Sequence, residues 1–87
     1  MPYNYQEQRP QLFTESGSNT FIQIRDNVQK IVEKSGAIRM QEAIRGVSGD
    51  SWVMLACVDR MVELGELREI SQQSIPGQHR IFVTTKS

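Results

Sequence analysis

Residues 39–70, RMQEAIRGVSGDSWVMLACVDRMVELGELREI, decide the fold. Met40, Ala43 and Ile44 place apolar groups at helical spacing, so a short helix opens at Arg39 or Met40 and runs through Arg45. Gly46 is the natural turn residue after it, and Val47 plugs the corner. Ser48 and Asp50 both suit the cap of a second helix, because a side-chain oxygen can accept from an unpaired first-turn amide. Asp50 also suits the positive end of the helix dipole. That helix runs from about Asp50 to Leu64, with Met54, Cys57, Val58, Met61 and Leu64 at the spacing of a buried face. Gly65 stops it. Leu67 to Ser71 reads as a strand, with Leu67 and Ile70 as inward candidates.

Toward the C-terminus, residues 72–79, QQSIPGQH, form a polar loop with a Pro-Gly turn signal. Residues 80–85, RIFVTT, are β-branched and aromatic and read as a returning strand. Alternation turns Ile81 and Val83 one way and Phe82 the other. Toward the N-terminus, Phe21, Ile24, Val28, Ile31 and Val32 form one stripe, so a helix is predicted from Thr20 to Lys34. Ser18, Asn19 or Thr20 can cap it, and Ser35-Gly36 stops it. Ala37 and Ile38 make a brief extended segment. Residues 1–19 carry two prolines, one glycine and many polar groups, and read as a flexible tail. Within it, Tyr3, Tyr5, Leu12 and Phe13 either pack onto the domain or a second subunit, or lie in a solvated arm. The expected fold class is therefore α+β, mainly α: three helices and a small antiparallel hairpin in residues 20–87.

Eighty-seven residues suit one small domain. Lys plus Arg and Asp plus Glu each number 10. Zero net charge argues against a strong sequence-independent grip on phosphate, which needs surplus Lys and Arg, and it favours self-association. Cys57 is the only cysteine and sits in an apolar helical run, the usual place of a small core residue. Met1 to Gln11 has no apolar core of a signal peptide, and no apolar run approaches the roughly 20 residues of a membrane span. The default compartment is the cytoplasm. One histidine in a polar loop offers no nucleophile–base pair, and no Cys/His cluster or glycine-rich phosphate loop is present. No enzyme, cofactor, metal or small-molecule ligand is expected.

The order of these pieces resembles the winged helix-turn-helix superfamily, especially small bacterial transcriptional regulators. The resemblance spans Phe21 to Thr85. Gly46-Val47-Ser48 is similar to the turn between that motif's two helices, and residues 58–65, VDRMVELG, resemble the end of its recognition helix. Glu66 to Val83 would then be strand, wing and returning strand. The resemblance implies a regulator that binds double-stranded DNA, with Ser51, Trp52, Leu55, Ala56, Asp59 and Arg60 at the groove. Gln72, Gln73, Gln78, His79 and Arg80 are its implied wing contacts. Base edges are read by Arg, Lys, Asn, Gln, Ser and Thr. The helical set offers only Ser51 and Arg60, so the nucleic-acid candidates reduce to Ser51, Arg60, Gln78, His79 and Arg80. Arg39 and Arg45 are either backbone clamps or solvated charges. The long helix is also apolar well beyond one face. That favours an alternative: a module for protein interaction or homodimerisation that does not bind DNA, anchored by Trp52, Leu55 and Val62. Trp52 has three readings, as core, as interface anchor or as DNA contact.

Overall fold

The computed structural model describes residues 3–71 and 79–85. Two short helical elements come first, α1 (Tyr5–Gln8) and a 3-10 helix (Arg9–Phe13). The long helix α2 (Glu15–Ser35) follows, then β1 (Ala37–Arg39), α3 (Met40–Ala43), α4 (Ser51–Glu63), β2 (Leu67–Glu69) and β3 (Ile81–Thr84). The class is α+β, mainly α, with four α-helices and three strands among the described residues.

The N-terminal segment departs from the flexible tail expected for residues 1–19. Asn4 caps α1 by accepting from the Gln6 and Glu7 amides. Leu12 is buried to 5% exposure. Helix α2 starts at Glu15, earlier than the predicted Thr20, because Thr14 caps it: its hydroxyl oxygen accepts from the Gly17 N–H at 3.1 Å. Gly17 is buried, and a Cβ there would stand 1.8 Å from the Gln11 carbonyl oxygen. Only glycine lets the 3-10 helix lie this close to the first turn of α2. The Ser18 hydroxyl closes the junction by donating to the Leu12 carbonyl at 3.0 Å. Local polarity, on which the tail reading rested, is overridden by one buried leucine and one close backbone approach.

Helix α2 ends at Gly36, whose φ of +75° is the left-handed conformation that terminates a helix. The extended segment at Ala37 is a full third strand. The sheet is antiparallel throughout, in the order β1-β3-β2. Ile38 pairs with Phe82 and Phe82 with Glu69, while Ala37 pairs with Val83 and Val83 with Arg68. Ile38, Phe82 and Leu67 turn inward and are buried. They meet Ile24 and Val28 of α2, Met40 and Ala43 of α3, and Met54, Ala56, Cys57, Val58 and Met61 of α4. Each large side chain here stabilises by roughly 1.5–3 kcal/mol through burial.

Asp50 caps α4, accepting from the Trp52 and Val53 amides at 2.8 and 3.3 Å. Two inward assignments fail. Leu64 is 46% exposed and Ile70 49%. Met61 fills the α4 row one turn earlier, and Leu64 is the cap residue beyond the helix. Ile70 donates its N–H to the Ile81 carbonyl, which puts it on the outer side of the sheet with Ile81. Among the described residues, no helix is long and apolar enough to cross a membrane.

Candidate functional site

The outward side of α4 is the surface on which the functional expectations converge. Asp59 and Glu63 stand one helical turn apart there, and both are engaged by the N-terminal arm. The Tyr3 hydroxyl donates to Asp59 Oδ2 at 2.6 Å. The Tyr5 hydroxyl donates to Glu63 Oε1 at 2.7 Å, and Arg9 Nε reaches both Glu63 oxygens at 3.0 and 3.1 Å. Arg60 Nη1 donates to the same Glu63 Oε1 at 2.7 Å. The guanidinium carbons of Arg9 and Arg60 lie 5.2 and 5.5 Å from the centre of the Phe13 ring, within cation–π range. Three donors on one carboxylate, Tyr5 first and then Arg60 and Arg9, hold the Glu63 pKa down to about 2. Burial, and then the bond to Glu63, push Tyr5 up to about 12. Burial and the bond to Asp59 raise Tyr3 further still.

Arg80 sits behind this layer. Its Nη2 and Nη1 donate to Asp59 at 2.7 and 3.2 Å, and its Nε and Nη2 donate to Glu69 at 2.9 and 2.7 Å. The guanidinium carbon lies 5.1 Å from the Phe82 ring centre, and the side chain is 16% exposed. Arg80 therefore fastens β3 to α4 and β2. The bonds to Glu69 and Asp59 push its pKa up, and Arg80 in turn pulls that of Glu69 down. The planar fork of arginine suits two carboxylates at once. Its expected place on a phosphate-binding wing edge is corrected: both of its faces and its charge are already used inside the fold.

The other candidates separate. Ser51 is exposed at the first turn of α4, and Trp52 is half-buried beside it. Ala56, assigned to the groove set by the resemblance, is fully buried. Leu55 and Val62, expected as interface anchors, are half-buried and pack against the core. Arg60 is tied to Glu63 and Phe13. His79 is exposed. Gln72, Gln73 and Gln78 lie outside the described residues. Asp59, Arg60 and Arg80 are thus brought together, but as a set of neutralised charges. Sequence reasoning offered packing onto the domain as one reading of Tyr3, Tyr5 and Phe13, but it missed Arg9 and the acidic partners on α4. The available signal was the pair of acids one turn apart on an otherwise apolar helix.

The apolar groups left outside are elsewhere. Phe13, Ile22 and Leu64 are exposed at 60%, 57% and 46%. Ser18 on α2 bonds to Leu12, and Arg25, further along α2, pairs with Glu66 through Nε and Nη2 at 3.1 and 2.9 Å. Ile22 lies between those two positions. Leu64 lies between Arg60, which meets Phe13, and the same Glu66. Ile22 and Leu64 therefore flank the same Arg25–Glu66 pair. That pair also lines a cleft of about 600 Å³ walled by Val28, Val32, Met61 and Leu67.

Chemistry is sparse. Burial pushes the Cys57 thiol up to about 12, which makes it a poor nucleophile at neutral pH. Among the described residues no three of His, Cys, Asp and Glu gather as a metal site would require. No family model matches the chain, and no characterised protein or solved structure matches it significantly.

Proposed function

We propose that the chain is a winged helix-turn-helix domain that binds another protein chain and does not read DNA. One observation carries this reading: the N-terminal arm lies over Asp59, Arg60 and Glu63, so Arg60, the one basic member of the helical groove set, is already engaged. A duplex approaching there would meet an arm already bonded to the helix and arginines already paired with carboxylates. Release of condensed counterions, which drives non-specific DNA binding, needs cations free to neutralise phosphate. Ile22 and Leu64, exposed on either side of the Arg25–Glu66 pair, support the protein-binding side of the reading, since neighbouring exposed apolar groups mark interaction surfaces.

The test is titration of the full chain into labelled duplex DNA at low salt, followed by fluorescence anisotropy. We expect no salt-sensitive binding. Saturable binding that weakens steeply with salt and is lost in Arg60→Ala sinks the reading.

A further inference from the structure

The outer face of the sheet has a composition unlike the rest of the surface. Register assigns it two cross-strand rows. Ala37, Val83 and Arg68 form one, and Arg39 and Ile81 form the other, extended by Ile70 through its N–H bond to the Ile81 carbonyl. Val83 and Ile81 are half-buried, and Ile70 is 49% exposed. Arg39 and Arg68 are exposed at opposite corners of this small apolar field. Neither makes an ion pair among the described residues, in contrast to Arg9, Arg25, Arg60 and Arg80. Glu42 is bonded to the Arg39 backbone N–H at 3.0 Å. None of the outward residues in the two rows is acidic. Glu69 and Asp59 are held on the inner side by Arg80, Glu63 is held by Arg9 and Arg60, and Glu66 is held by Arg25.

We infer that this face docks an acidic, extended segment of a partner protein, its carboxylates on Arg39 and Arg68 and an apolar side chain between them. The inference rests on the protein-binding reading and names the chemistry of the partner. Strand spacing and rise put the two arginine positions roughly 12 Å apart on the diagonal. In an extended segment, residues four apart share a face and stand roughly 13 Å apart. A Glu-x-apolar-x-Glu pattern therefore matches both arginines and sets its central side chain over Ile81, Val83 and Ile70. Nucleic acid fits this face less well. Strand-like binding of bases uses aromatic platforms, and the two rows hold no aromatic residue.

The experiment titrates a synthetic peptide containing Glu-Thr-Ile-Thr-Glu into the full isotope-labelled chain and follows backbone amides by NMR. We expect shifts concentrated in β1, β2 and β3, and affinity that falls as salt rises. The same peptide with both Glu replaced by Lys should leave the spectrum unmoved. The double variant Arg39→Ala with Arg68→Ala should weaken binding about tenfold, and Ile70→Ser should weaken it without changing the salt dependence. All three positions are exposed, so each variant should keep the wild-type spectrum away from the sheet. If the acidic peptide leaves the sheet amides unmoved while duplex DNA also fails to bind, the assignment of this face is overturned and the protein-binding reading stands. If duplex DNA shifts these amides and loses its affinity in the double arginine variant, both fall together.

Discussion

At the scale of single residues, Arg80 shows how a side chain's address changes its meaning. In the sequence it follows a polar loop and precedes a strand, which is where a wing offers charge to a phosphate backbone. In the fold it alternates with Ile81, so it points inward with Phe82 and meets carboxylates 11 and 21 residues away. Those partners are non-local, and nothing in the run of residues 79–81 announces them. Removing Arg80 would leave Asp59 and Glu69 facing an emptied, half-buried site. Breaking one side of a fully buried ion pair costs roughly 3–5 kcal/mol. Solvent still reaches Glu69, so we expect Arg80→Ala to cost about 2 kcal/mol, read as a lowered denaturant midpoint with an unchanged slope. An unchanged midpoint would mean that the fork contributes nothing to the fold.

Among the elements, the N-terminal arm is the least legible and α2 the most instructive. The centre of α2 could be read because Ile24 and Val28 repeat at helical spacing. Its first turn could not, because Glu15 to Asn19 is polar and holds a glycine, and the turn is secured by the 3-10 helix before it. Gly17→Ala separates the two influences. Alanine favours an isolated helix by about 1 kcal/mol over glycine, but here its Cβ meets the Gln11 carbonyl. We expect net destabilisation of about 1–3 kcal/mol together with faster amide exchange in residues 5–13. A stabilised variant would mean the arm is not docked. Titration tests the same element. Glu63 has its folded pKa below the usual 4.5, so its contribution is complete above that value and is lost as pH falls toward about 2. Tyr5 has its folded pKa above the usual 10, so its contribution is complete below that value and is lost as pH rises toward about 12. Tyr3 acts in the same direction as Tyr5. We therefore expect the arm amides to be protected between these limits and to lose protection on both sides before the β-sheet does. Loss of arm and sheet protection together at every pH would contradict this. Strand β1 was visible only as two extended residues, since its partner Ile81–Thr84 lies more than 40 positions away and a three-residue strand has no period of its own.

Across the whole molecule, the charge balance of 10 against 10 is not evenly spread. Among the described residues Arg9, Arg25, Arg60 and Arg80 are drawn into five ion pairs, and those of Arg9, Arg25 and Arg80 tie the arm, the Glu66 turn and the sheet to the helices. The sequence total could not tell which cations remain outside these pairs. The arrangement of the strands has its own outcome during synthesis. The strand in the middle of the sheet is the last of the three to leave the ribosome. Ile38 and Leu67 emerge with the edges they belong to but without the strand that joins them. No two of these strands can pair until the central one is out, so Ile38 and Leu67 gain the neighbour they share only when Phe82 arrives between them.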